Sequence, residues 1–167
     1  PFRLQGQKTA AFEVVDELGV APDFHCLPVG NAGNISGYWM GYSEYAGERL
    51  ESTPEDMEYI IEKKICKKPR MLGYQASGAA PFIEKKTIDK PDTVATAIRI
   101  GAPQSKLLAE HASLSSNGWF RMLSDKEILK NQKDIDLLKK KYASMIREAQ
   151  KRGKPTQSWA YVFASSS

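Results

Sequence analysis

The chain has 167 residues, 41% hydrophobic and 26% charged, with 12 Gly, 9 Pro and 10% aromatics. This is near ordinary globular usage and excludes collagen-like, mucin-like and wholly disordered chains, while the length suits one domain with a real core. No apolar run approaches the roughly 20 residues of a membrane helix, and PFRLQGQKTA lacks the basic-then-apolar order of a secretory signal, so a cytoplasmic protein with no membrane partner is expected. The net charge of +4 is uneven: Lys126 to Lys154 holds ten Lys or Arg against four Asp or Glu, a balance of +6, which leaves −2 for the rest. A basic stretch of this kind meets nucleic acid or an acidic membrane, or is simply a solvated helix face. The solvated reading is favoured here and nucleic acid is unlikely as a partner. Cys26 and Cys66 are too isolated for a disulfide framework or a zinc cluster and read as packing residues; His25 and His111 are too few for a His-based metal centre, so no metal is expected.

In chain order, Gln7 to Leu18 carries an apolar stripe (Ala10, Phe12, Val14, Val15, Leu18) and predicts a helix closed by Gly19. The short run Phe24 to Val29, bounded by Ala21-Pro22-Asp23 and Gly30, predicts a strand, and Ile35 to Tyr45 a helix. Thr53-Pro54-Glu55-Asp56 has the cap, first-turn proline and early acids of a helix start, with Met57, Ile60, Ile61 and Ile65 as its stripe. Arg70 to Ala76 predicts the next strand, followed by a small-residue loop, Gly78 to Pro81. Short helices are predicted over Asp92 to Ile98 and over Ser105 to Leu114, the latter opened by a serine cap. Trp119 to Leu123 and Trp159 to Phe163 read as strands. Ser124-Asp125-Lys126-Glu127 is a capping box opening a helical pattern towards Gly153, as one helix or as two with a break near Asn131. Alternation of helices and strands predicts an α/β sheet.

The informative segment is Gly30-Asn31-Ala32-Gly33-Asn34, a glycine loop delivered by a strand to a helix N-terminus. Backbone N–H groups converge at such a turn and the helix dipole favours negative charge, so it suits a phosphate. Gly30 and Gly33 are expected to let the backbone approach the anion closely, and Asn31 and Asn34 to tolerate unusual backbone angles and add amide donors. The pattern is neither GxxxxGK(S/T) nor a full GxGxxG. By composition alone the loop is equally a plain strand-to-helix turn.

Read with its neighbours, LPVGNAGNISGYWMGY resembles the threonine synthases, fold-type-II pyridoxal-phosphate enzymes, as do PFRLQGQKTAAFEVVDELG, PRMLGYQASGAAP and DTVATAIRIGAPQS in the same order. The resemblance runs from Pro1 to about Leu129, with Glu48 to Lys68 as an insertion. It implies a three-layer sandwich with a mostly parallel sheet, incomplete in this chain: residues 1–129 as the cofactor-phosphate part of the large domain, and 130–167 as a divergent basic helical segment and tail. It implies pyridoxal 5'-phosphate as cofactor, with Gly30, Asn31, Ala32, Gly33 and Asn34 as its phosphate cup. Arg3, and with it Asn31, is implied at the phosphate of the substrate O-phosphohomoserine, where an arginine fork gives bidentate, charge-assisted bonds. The implied reaction makes threonine and phosphate from O-phosphohomoserine and water.

The family's Schiff-base lysine motif is not found here, so no catalytic residue is assigned. The chain is expected to be the downstream part of the catalytic domain, inactive alone, working as a homo-oligomer or with a complementing N-terminal half. As half of a doubly wound sheet it would expose apolar edges, with RMLGYQA and FHCLPV the strands at risk. The alternatives are a related threonine or serine dehydratase, or a non-catalytic phosphate-binding or interaction module.

Overall fold

The computed structural model describes residues 2–48, 63–134, 136 and 137. The chain forms two compact units, Pro1–Asp125 and Lys126–Ser167. In the second unit residues 126–134 are helical, and Gln132 Nε2 donates to the Asp136 carboxylate at 3.0 Å. The helix predicted from Thr53, the strand at Trp159 and the basic segment beyond residue 137 lie largely outside the described residues. Among the described residues no helix is long and apolar enough to cross a membrane.

The first unit runs α1 (Phe2–Gln7), α2 (Thr9–Leu18), β1 (Phe24–Pro28), α3 (Gly33–Tyr45), β2 (Arg70–Ala76), α4 (Pro81–Glu84), a 3-10 turn (Thr96–Ile98), α5 (Lys106–Ser115) and β3 (Trp119–Leu123). The three strands pair in parallel in the order β1-β2-β3, with Leu27 opposite Gly73 and Gly73 opposite Phe120. Parallel neighbours in sequential order need crossovers of one hand, which put the intervening helices on the same face. Accordingly α3 and α5 pack on each other and on β2. Leu27, Val29 and Met71 from that face join Ile35, Trp39, Tyr42, Ala109 and Ala112 in one buried cluster. The described residues thus supply a parallel sheet with a helical layer on one face, an α/β architecture.

Alternation along the strands sends Phe24, Cys26, Leu72 and Trp119 to the opposite face, which contributes nothing to that cluster. Arg70 lies over the rings of Phe24 and Trp119, and Arg121 over Trp119 at 4.8 Å. Phe24 remains 54% exposed. Here two expectations are corrected. Cys26 and Cys66 are exposed, not packing residues, because Cys26 falls on the uncovered parity of β1 and Cys66 in the turn before β2. RMLGYQA is not an edge either: β2 is paired on both sides and mostly buried, so among the described strands the edges are β1 and β3.

Other differences have local causes. The helix predicted from Gln7 starts at Thr9, as α2, and an additional helix, α1, precedes it; the two join at Lys8, where Thr9 Oγ1 turns back to bond the Gly6 carbonyl at 2.9 Å. The joint packs on α3 so closely that a methyl group at Gly41 would run into the Lys8 carbonyl oxygen. The helix predicted over Asp92 to Ile98 shrinks to its last three residues. Asp125 takes the donors that would have started it, accepting from Thr93 Oγ1 and from the Val94 N–H at 3.1 Å. Pro81, predicted to end a loop, instead opens α4 at its first turn, where a missing N–H costs nothing.

Candidate phosphate-binding site

Loops that follow parallel strands gather at the carboxyl edge of the sheet, and ligands bind there in open α/β folds. The loop after β1 turns sharply into α3. The residue that takes the left-handed conformation is Ala32, at φ 66°, the N-cap of α3; neither glycine nor either asparagine of the loop has a positive φ. Alanine in this region is disfavoured by its Cβ, so the turn is held by its surroundings. Ser36 supplies part of that hold, with its hydroxyl donating to the Ala32 carbonyl at 2.7 Å.

The glycines serve close packing within the protein. A Cβ at Gly30 would sit 2.9 Å from the Ile98 Cα and 3.2 Å from the Ala97 carbonyl oxygen; one at Gly33 would sit 3.1 Å from Gln7 Oε1. The asparagine side chains are likewise engaged. Asn34 Nδ2 donates to the Pro28 carbonyl at 2.7 Å while its Oδ1 accepts from the Ile35 N–H at 2.8 Å, which ties the end of β1 to the first turn of α3. Asn31 Oδ1 accepts from the Gln104 N–H at 2.9 Å, and the Asn31 carbonyl accepts from the Ser105 N–H at 3.3 Å. Ser105 does occupy the N-cap of α5, although its side chain makes no cap hydrogen bond.

What the loop leaves over are main-chain donors. Among the described residues the N–H groups of Gly30, Asn31, Ala32, Gly33 and Asn34 have no hydrogen-bond acceptor. The first turn of a helix cannot satisfy its own N–H groups, and the dipole of the 13-residue α3 adds positive potential there. No acidic residue stands in that turn to oppose an anion. The arrangement fits a phosphate group: free donors, no competing carboxylate, and a rigid frame.

The frame comes from distant segments. Gln75, fully buried on β2, donates to the Val29 carbonyl at 3.3 Å and accepts from the Phe82 N–H at 3.0 Å, joining the exit of β1 to the start of α4. Leu4 and Gln7 of α1 approach Gly33. Arg3 is exposed on that same helix and makes no ion pair with a described residue, so the structure brings its helix, not its guanidinium, to the cup. Gln75, Ile98 and Gln104 were not singled out in the sequence. Gln104 lies 73 residues from the asparagine it holds, and no local pattern signals such a contact.

The model of the family described as "Pyridoxal-phosphate dependent enzyme" matches residues 1–136. The chain belongs to the pyridoxal-phosphate-dependent enzymes. Within that family it is 51% identical over 133 residues to a threonine synthase of Synechocystis, covering 77% of this chain and 30% of the relative. It is 53% identical over 129 residues to a threonine synthase of Mycobacterium tuberculosis, covering 77% and 32%. A threonine synthase of Methanocaldococcus jannaschii is 42% identical over 142 residues, covering 80% and 32%. The chain thus spans about a third of the length of these relatives. Pyridoxal phosphate is the cofactor of this family, and the glycine loop described above lies inside the matched region.

Proposed function

We infer that this chain provides the cofactor-phosphate cup of a cytoplasmic threonine synthase-like enzyme that makes threonine and phosphate from O-phosphohomoserine and water. The observation that carries the reading is the row of five N–H groups, Gly30 to Asn34, without acceptors among the described residues at the turn into α3. The cup residues Gly30, Asn31, Ala32, Gly33 and Asn34 would hold the phosphate of pyridoxal phosphate, and the cofactor, when bound, supplies the electron sink of the reaction. This chain's own share is to bind and to orient. Main-chain donors fixed before the ligand arrives anchor its phosphate without paying for loop ordering. Arg3 belongs to the reading as the second anion's ligand, carried on the helix that abuts Gly33. Assembly as a homo-oligomer or with a complementing upstream half is part of the same proposal.

The test is a titration of the purified chain with pyridoxal 5'-phosphate, followed by absorbance and by borohydride reduction with mass spectrometry. Saturable binding displaced by inorganic phosphate, with no lysine adduct and no turnover of O-phosphohomoserine, is expected. Absence of binding, or binding that phosphate does not displace, overturns the cup. A single reduced lysine adduct overturns the assignment of no catalytic residue. Turnover of threonine or serine in the completed enzyme, without turnover of O-phosphohomoserine, would favour a dehydratase.

A further inference from the structure

Asn31 is bound to the stretch before α5 through both its side chain and its main chain. The Gln104 N–H donates to Asn31 Oδ1 at 2.9 Å, Asn31 Nδ2 donates to Gln104 Oε1 at 3.5 Å, and the Ser105 N–H donates to the Asn31 carbonyl at 3.3 Å. The first bond sets the polarity of the amide. A main-chain donor must face an oxygen, so Oδ1 is turned to Gln104 and the NH2 group keeps one hydrogen with no acceptor among the described residues. The third bond orients the backbone. The peptide bonds are trans, so the Asn31 carbonyl and the Ala32 N–H point opposite ways. With the carbonyl held by Ser105, the Ala32 N–H is directed away from that segment.

We propose that Gln104 is a positioning residue for anion binding at the cup, holding Asn31 so that its Nδ2 and the Ala32 N–H are fixed donors to a phosphate group. The proposal rests on the cup reading above and deepens it. Neither donor is free to turn, and the loop need not order on binding, so the gain appears as affinity. Gln104 acts only through Asn31.

The experiment is calorimetric titration of the whole chain with inorganic phosphate and with pyridoxal 5'-phosphate, alongside Gln104→Ala, Gln104→Pro and Asn31→Asp. Gln104→Ala loses the longer contact, and a rise in Kd of about threefold is expected; Gln104→Pro loses the N–H itself, with a rise of about fivefold, in line with one hydrogen bond of roughly 1 kcal/mol. Asn31→Asp still accepts from the Gln104 N–H but has no hydrogen to give, so it is expected to lose phosphate affinity at an unchanged melting temperature. The Asn31 side-chain amide resonances should shift on phosphate addition in the unsubstituted chain and not in Gln104→Pro. A melting temperature lowered in the Gln104 variants with Kd unaltered would show a structural latch and overturn the proposal; unaltered affinity in Asn31→Asp overturns it even where Gln104→Pro fails to fold. If the unsubstituted chain binds neither probe, the cup reading falls and this inference with it.

Discussion

His25 shows how a single side chain is fixed by what lies above it. It faces α3 from β1, with Tyr38 at 4.2 Å ring to ring and Tyr42 Oη 2.8 Å from its Nδ1. Burial without a carboxylate partner favours the neutral ring and lowers its pKa from 6.5 to about 4, and burial likewise pushes the Tyr42 hydroxyl up, so it stays protonated. The unfolded chain therefore binds a proton at His25 between pH 6.5 and 4 while the folded chain does not. Stability is complete above about pH 6.5 and is lost as pH falls towards 4, by about 3 kcal/mol. Urea unfolding across this range, compared with His25→Gln, measures it, and a pH-independent difference would contradict it. Glycines provide a second contrast. Gly41→Ala is expected to destabilise by about 1 to 3 kcal/mol, because its Cβ meets backbone. Gly6→Ala, in helix α1 with nothing within 4 Å, is expected to stabilise by about 0.5 to 1 kcal/mol. Equilibrium unfolding gives both signs.

At the scale of elements, the contact between the α1–α2 joint and α3 does most to seat α3. Its polar component is the Lys8–Glu44 ion pair, with the two side chains only 14% and 10% exposed. Glu44 Oε2 has no further hydrogen bond among the described residues. Removing the lysine leaves a largely buried carboxylate uncompensated, so Lys8→Ala is expected to cost about 3 kcal/mol. Thermal unfolding of Lys8→Ala beside Lys8→Ala/Glu44→Ala separates loss of the pair from burial of the charge: the double variant should recover part of the loss. The segment between α4 and α5 is held differently, by side chains that reach far along the chain. Asp125 fixes Thr93 and Val94, and Asn31 fixes Gln104. Asp125→Ala should accelerate amide exchange at Val94, which donates to it, with little effect at the α3 amides; equal acceleration in both would contradict this division.

At the scale of the whole first unit, parallel pairing in sequential order makes β2 the centre and puts α3 and α5 on one face. Amides of residues 70–76 are accordingly expected to exchange most slowly, and those of β1 and β3 sooner, by hydrogen exchange followed with mass spectrometry. Much of this was legible in the sequence. The strand Arg70–Ala76 and the strand Trp119–Leu123 appear with the predicted bounds, and α2, α3 and α5 lie within a few residues of theirs, because apolar periodicity and turn residues act locally. The glycine loop was legible as a strand-to-helix turn for the same reason, since a strand, a short turn and a helix N-terminus are neighbours in the chain. What the sequence hid was every contact of long reach. That Gly30 is required by Ile98, that Asn31 answers to Gln104, and that Cys26 lies on an exposed face follow from the register of three strands and the path of residues 96–105 past the glycine loop. By itself, then, the sequence determined most of the elements, the family and the place of the glycine loop between a strand and a helix N-terminus. Only the tertiary structure decided which groups of that loop remain free to bind, because a hydrogen bond closed across 73 residues leaves no trace in local spacing.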